Sequence, residues 1–575
     1  MTERDGTAAA IHLIVGVTGH RRLRADEVPS LRLQVHEVLA TLAARYPELP
    51  LLVLSPLAEG ADRLVAEVAF ERGLRVVAPL PLPLAQYRDD FADDASRAEL
   101  ERQIARAEVI ELPRSEWASG RRATDTDPSA VPGPARDQRY AQAGMFVSRH
   151  CHVLLALWDG LDGGSTGGTA QVVRYHLGGE IPGALPRPPR ASLTLLGIGE
   201  DTVVRHIAAS RSDAPSRAAS RGGWLTMDDA VIEHDALPPA FDAMFRRQAE
   251  YNADARRYAD DVAADAPADS DGAAACPIHR QFVVADWLAR TYQRRVARVL
   301  RLTYAIAAAT GAAFIVYAHV KSQDALIYLY LALFIAGVGL AVLARRRAWH
   351  RKYLDYRALA EGLRVQSYWR RAGVVDAAHP SVDHDSFMQE QDLELGWIRN
   401  ALRSASLDGL LVPVAADASA VERVVGEWVG TPDSRGQLGY FTAAARSRER
   451  QHRRAEWLAH ACLGIGITIS LVLALFAHRW GYDTKNALVV LMGLLSVGAG
   501  VHEAYAHKKA DKELVKQYRF MQRIYAGARR RLDGATTPDD TRRILRTLGE
   551  AALAEHAEWT LMHRERPLEH TRLGG

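Results

Sequence analysis

Over residues 1–200 short apolar runs alternate with amphipathic stretches, and four long apolar runs dominate the second half of the chain. The short runs are Ile11 to Val17, Leu51 to Leu57, Leu74 to Leu80, Val109 to Leu112, Val153 to Trp158 and Leu193 to Ile198. They are mostly continuous, the pattern of strands covered on both faces. Between them Glu27 to Tyr46, Ala61 to Arg72, Ala98 to Ala107, Gln138 to His150 and Thr169 to Leu177 carry helical periodicity. The alternation predicts an α/β, doubly wound, Rossmann-like domain on a parallel sheet.

The second half follows a different rule. Leu302 to Val320, Ala325 to Ala344, Trp457 to Ala477 and residues 487–506 are long apolar runs, and about twenty residues at about 1.5 Å each cross a hydrocarbon core. They predict an α-helical membrane domain of four transmembrane helices in two hairpins, with cytosolic helices and the lipid bilayer as partner. Arg290, Arg294, Arg295, Arg298 and Arg301 precede the first span and Arg345, Arg346, Arg347, Arg351 and Lys352 follow the second, whereas the turn carries only Lys321. The second hairpin repeats the asymmetry, with Arg446, Arg448, Arg450, Arg453 and Arg454 before it and Lys508, Lys509 and Lys512 after it. Lys/Arg bias of this kind predicts a multi-pass protein of the cell inner (plasma) membrane with both termini cytoplasmic. The same clusters attract anionic lipid, at roughly 1 kcal/mol per nearby cation.

After the first hairpin Trp349, Tyr353, Tyr356, Ala360 and Leu363 fall in heptad rhythm, and after the second Leu514, Tyr518, Met521, Tyr525, Ala528 and Leu532 do the same. The Tyr356-Arg357 and Tyr518-Arg519 pairs recur with them, so a hairpin-plus-helix module reads as duplicated. Packing within one chain and homo-oligomerisation both fit these stripes. The layout expected is a ligand domain at 1–200, a linker and helical connector at 201–280, a first module at 281–375, and a cytosolic connector at 376–440. A second module follows at 441–535, with a C-terminal helix and tail at 536–575. Residues 181–192 and 199–223, rich in Pro, Ala, Ser and Arg, read as linkers.

Charge and cysteine content remove several classes. Lys and Arg number 72 against 69 Asp and Glu, a formal charge of +3, so bulk charge gives no reason to expect a nucleic-acid partner. Cys151, Cys276 and Cys462 stand far apart without CxxC spacing, which argues against zinc and against a disulfide framework. Asp383, His384 and Asp385 are adjacent and point in different directions, the mark of a solvated loop, so no metal ligands are expected. Met1 to Ala10 is polar, and no cleavable signal peptide is expected there.

Candidate chemistry lies in turns just beyond the strands, the edge where such folds bind ligands. Thr18, Gly19, His20 and Arg21 follow the first strand. Asp159 and Gly160 follow the Val153 run and lead through Gly163, Gly164 and Thr166 to Gly167, Gly168 and Thr169 at a helix start. Glycines let backbone N–H groups approach an anion, and a helix N-terminus adds partial positive charge, so phosphate binding is expected. A third turn, Glu59-Gly60-Ala61-Asp62, opens the helix after the second strand, where Asp62 caps the helix or reaches a ribose hydroxyl.

In order, GVTGHRRL, SPLAEGADRLVAEVA, LPLAQYRDDF, YAQAGMFVSRHCHVLLALWDG and GGTAQVV resemble the SLOG superfamily, a Rossmann-like group that includes Lonely Guy proteins and the ligand-sensing region of melastatin-type channels. The membrane half, with YRALAEGLR after one hairpin and KQYRFMQRIYAGARRRL after the other, resembles the SLATT family of two-helix membrane effectors. The first resemblance implies a nucleotide-derived ligand, with Thr18, Gly19, His20 and Arg21 by phosphate or ribose and Gly167, Gly168 and Thr169 cradling the phosphate. In the enzymatic branch a glutamate follows the glycine loop, whereas here Thr169 leads to Ala170 and Gln171. Glutamine is no general acid or base, so no catalytic residue is assigned. Together the resemblances imply a membrane-bound sensor-effector of a bacterial conflict or antiviral defence system. A membrane-tethered nucleotide or nucleoside-phosphate hydrolase and a scaffold without ligand are the alternatives.

Overall fold

A computed structural model of the chain describes residues 10–91, 93–113, 133–161, 167–178, 202–212, 222–228, 230–265, 276–320, 325–375, 387, 395–413, 417–433, 436–509 and 511–564. Gly163, Gly164, Thr166, Lys321, the triplet Asp383, His384 and Asp385, and the expected strand Leu193 to Ile198 lie outside them. The chain forms two units, residues 1–286 with 358–417, and residues 287–357 with 418–575.

In the first unit β1 (Leu13–Gly19), β2 (Leu51–Leu54), β3 (Arg75–Leu80), β4 (Glu108–Glu111), β5 (Val153–Trp158), β6 (Val203–Ala208), β7 (Trp224–Asp228) and β8 (Ala230–His234) make one sheet. Their order is β4-β3-β2-β1-β5-β6-β7-β8. The first six run parallel, and β7 and β8 are antiparallel. The sheet is therefore mixed where a parallel one was expected. Only Asp229 separates β7 from β8, and a parallel crossover needs a dozen residues or more, so these two strands can only form a hairpin. Strand β6 lies inside a stretch expected to be linker. From the central β1 the chain steps outward through β2, β3 and β4 and then returns to β5 on the other side of β1. The strand order reverses between β1 and β5, the point where open α/β sheets leave a crevice.

The helices between strands are α1 (Val28–Arg45), α2 (Ala61–Glu71), α3 (Leu84–Arg88), α4 (Asp94–Ile104), α5 (Pro134–His150) and α6 (Thr169–His176). They cover a core of Ile14, Leu52, Leu54, Val77, Phe146, Val147, Leu154 and Val172. After the sheet come α7 (Pro239–Arg257), α8 (Ala259–Asp265), α9 (Pro277–His319), α10 (Ala325–Arg346), α11 (Trp349–Arg371) and α12 (Gly396–Leu411). Helices α7 and α12 close the amino end of β1. Asn252 accepts from Ile11 N–H at 3.0 Å and donates to Ile11 C=O at 2.8 Å, Gln248 donates to His12 C=O at 2.9 Å, and Ser404 Oγ accepts from His12 N–H at 3.1 Å. Arg75 on β3 pairs with Asp408 on α12 at 2.7 Å, and Leu407 joins the core. The segment read as a connector thus supplies a helix of the α/β unit.

The second unit contains α13 (Ala418–Val424), α14 (Gln437–Phe476), α15 (Tyr482–Lys509), α16 (Asp511–Asp533) and α17 (Pro538–Arg564), with the later part of α9, α10 and the start of α11. Four helices, Pro277–His319, the stretch from Ala325, Gln437–Phe476 and Tyr482–Ala506, are long and apolar enough to cross a membrane. Helix α16 packs its Tyr518 and Tyr525 against Phe441 of α14, with ring centroids 5.9 and 5.6 Å apart. Tyr356 of α11 meets Tyr292 of α9 at 5.6 Å. In each module, then, part of the aromatic stripe packs on the extended lead of its own hairpin, while Tyr353 also meets Trp559 of α17 at 6.1 Å.

Candidate functional site

The carboxyl ends of β1 and β5 lie side by side, with Gly19 opposite Leu157 in the parallel register. His20 follows Gly19 and donates its N–H to Leu157 C=O at 3.1 Å. Its ring Nε2 accepts the Asp159 N–H at 3.0 Å and lies 3.3 Å from Asp159 Oδ1. The other Asp159 oxygen pairs with Arg211 at 3.1 Å, and Oδ1 takes the Leu161 N–H at 3.0 Å. His20 and Asp159 therefore fasten the β1 and β5 turns to each other, and Gly160 extends the second turn at φ +78°.

The third turn closes on the first. Ala61 N–H donates to His20 C=O at 3.1 Å. Gly60 has φ +79°, and a Cβ there would lie 2.4 Å from both the His20 and Arg21 carbonyl oxygens, so only glycine fits. Gly167 is equally constrained: at φ +74°, a Cβ would meet Ala141 N at 2.8 Å. Its N–H is held by Gln171 Oε1 at 2.9 Å, so the glutamine that stands in place of an acid shapes the loop. Gly168 is the residue before α6, which Thr169 begins. Thr18 is buried at the end of β1.

Behind these turns lies a cluster of polar groups in which Asp62, Arg63, Tyr87 and Arg136 are buried. Asp62, in the first turn of α2, is buried, and that burial drives its carboxyl up to about 7 against a backbone hydrogen bond from Ala58 and the charges of Arg21 and Arg63. Arg21 stacks on the Tyr140 ring at 4.5 Å. Tyr140 donates its hydroxyl to Asp90, which also pairs with Arg136 at 2.7 Å. Tyr87 is fully buried, donates to Pro56 C=O at 3.1 Å, and has its phenol pushed well above the usual range by burial. Arg63 donates through Nε to Leu57 C=O at 3.1 Å and through Nη1 to Ser96 and Glu99, while its Nη2 is buried without a hydrogen-bond partner. Leu57 itself has φ +59°, a left-handed conformation that β-carbon sterics disfavour and that concentrates at functional loops. Glu59 is turned aside and accepts from the Ser96 hydroxyl.

The structure thus gathers Thr18, Gly19, His20, Arg21, Gly60, Asp62, Asp159 and Gly160 around one edge, with Gly167, Gly168 and Thr169 placed by α5 and α6. Sequence reasoning missed Arg63, Tyr87, Asp90, Arg136 and Tyr140. Their signal was present in SPLAEGADRL, LPLAQYRDDF and the arginine-tyrosine run at residues 136–140, where polar side chains sit inside helices packed on a buried sheet. Among the described residues no His, Cys, Asp and Glu group fit for a metal occurs. No protein-family model, curated protein or solved structure matches the chain.

Proposed function

We propose that the chain is a membrane-bound sensor-effector whose α/β unit binds a small anionic, nucleotide-derived ligand at the β1/β5 switch point. The observation that carries this is the pair of turns, Thr18 to Arg21 and Asp159 to Gly160, side by side where the strand order reverses, with Arg21 beside them. The start of α6 adds backbone N–H groups and partial positive charge for a phosphate. Ligand binding stabilises one arrangement of the α/β unit, and the shift in population is read by the membrane helices, which act on the bilayer. The likeness to SLOG and SLATT proteins supports the pairing of ligand domain with membrane effector and a place in bacterial defence.

The test is calorimetric titration of the full chain in lipid nanodiscs with ADP-ribose, NAD and cyclic mono- and dinucleotides, alongside Gly168→Trp. One compound that binds the parent and loses at least tenfold in affinity to the variant supports the proposal; silence across the panel removes it.

A second function is favoured by Asp62, a buried carboxyl raised to about 7 at the same edge and thus able to exchange a proton near neutrality. That chemistry would make the unit a tethered hydrolase of the same ligand class. Product formation by the parent and its loss in Asp62→Asn distinguish hydrolysis from binding alone.

A further inference from the structure

Within the second unit contacts among the described residues link the four spans in a row. Span 1, the later part of α9, meets span 4, in α15: a Cβ on Gly311 would lie 2.8 Å from Val497, and one on Gly493 would lie 3.2 Å from Ile315. Tyr304 also donates its hydroxyl to Ala504 C=O at 3.2 Å. Each hairpin closes on itself. Phe314 of span 1 lies against Tyr330 of span 2, in α10, with centroids 5.7 Å apart, and Ser470 of span 3, in α14, meets Met492 Sδ of span 4 at 3.0 Å.

Burial follows the same order. On span 2 Leu326, Tyr330, Leu333, Gly337 and Leu340 form one half-buried stripe at helical spacing, the mark of a single neighbour. On span 3 Ala459, Cys462, Gly466, Ile469 and Leu473 form another. Spans 1 and 4 each use more than one face. The order across the row is span 2, span 1, span 4, span 3, with spans 2 and 3 at its edges.

The duplicated hairpins say what belongs at those edges. Phe314 with Tyr330 in the first hairpin corresponds to Ser470 with Met492 in the second. By the same shifts along the chain, the inter-hairpin contact of Gly311 with Val497 corresponds to Ile467 with Ile335, and that of Ile315 with Gly493 corresponds to Leu471 with Leu331. These four positions are instead left open among the described residues, with exposures of 60% for Ile467, 60% for Ile335, 58% for Leu471 and 52% for Leu331. Apolar exposure alone selects nothing in a bilayer, because lipid chains solvate such residues as well as another helix does. The repeat supplies the selection: a contact made once between unlike edges of the two modules has an unfilled equivalent.

We infer that span 3 of one chain packs against span 2 of a second copy, repeating head to tail the contact that span 1 makes with span 4. The interface is heterologous, so successive copies continue the row until it closes. The inference rests on the spans lying in a bilayer and is independent of any ligand of the α/β unit.

The test uses full-length chains in which Cys151, Cys276 and Cys462 are replaced by Ala. One tagged chain carries Ile335→Cys and a differently tagged chain carries Ile467→Cys, co-expressed and oxidised in native membranes without added nucleotide. A mixed disulfide dimer at least tenfold above what either chain forms with itself is expected, and Leu331→Cys with Leu471→Cys should repeat it. Equal self-linked dimers, monomers alone in both pairs, or a doubly substituted chain that links only within itself would each overturn the inference.

Discussion

A carboxyl group that gives up water holds its proton more tightly, and Asp62 does so at the sheet edge although the charges of Arg21 and Arg63 oppose it. Its folded value of about 7 lies above the ordinary carboxylate value of 3.8. Between those two values the folded chain binds more protons than the unfolded one, so stability falls as pH rises through the interval and is level above it. The expected cost is roughly 1.4 kcal/mol for each unit by which the group is raised. Asp62→Asn should abolish this pH dependence, so that protection of the α/β unit at pH 8 equals that at pH 5 in the variant and falls in the parent, measured by amide exchange in β1 and β2. If the parent shows no loss of protection between those pH values, the carboxyl is not held protonated. The same substitution predicts ligand affinity: an anion bound beside Asp62 should bind more weakly above pH 7 in the parent and with little pH dependence in the variant.

At the scale of elements, the site depends on backbone approach more than on side-chain contact. Gly60→Ala sets a β-carbon against two carbonyl oxygens at a positive φ, so the β2–α2 turn must withdraw from the β1 turn; strain of this kind costs about 1–3 kcal/mol. Titration of that variant should show ligand binding weakened tenfold or more, with β1 and β5 still paired; unaltered affinity would mean that the two turns are not one site. Apart from the short α3, the strands and helices up to β5 were legible because their periodicity is strong: the helix expected at Ala61 to Arg72 is observed at Ala61–Glu71, and the strand at Val153 to Trp158 is observed with those bounds. Strand β6 was hidden by Arg205 and His206 in its middle. The structure accounts for both, with Arg205 over the Trp224 ring at 5.7 Å and His206 Nε2 at 2.9 Å from Trp158 C=O. Helix α12 fell within the stretch read as a connector for the same reason. Arg399, Asn400, Arg403 and Ser404 look solvent-facing in sequence and are buried in the fold. The glycine turns were visible as motifs, but the phenols of Tyr87 and Tyr140 come to the site only through tertiary packing of α3 and α5.

At the scale of the whole chain, the α/β unit is assembled from two separated segments, 1–286 and 358–417, with the first span pair inserted between them in sequence. We expect, in consequence, that its amino-terminal half does not fold alone. Residues 1–225 lack α7 and α12, and therefore lack Asn252, Gln248 and Ser404, which satisfy the backbone of Ile11 and His12, and Leu407, which fills the core. Truncation opens the amino end of β1 and the core around Leu407 to water, at about 25 cal/mol for each Å² of apolar surface exposed. Against a typical domain stability of about 5–15 kcal/mol, these losses are disabling. We expect residues 1–225 expressed alone to be digested rapidly by protease and to melt without a cooperative transition in circular dichroism. A chain joining 1–286 to 358–417 through a flexible linker should resist digestion and melt cooperatively, because it restores both helices without the spans. If the short fragment melts as sharply as the joined one, α7 and α12 only lie on the sheet, and ligand binding can be measured on residues 1–225; if it does not, every ligand measurement must be made on the full chain or the joined form.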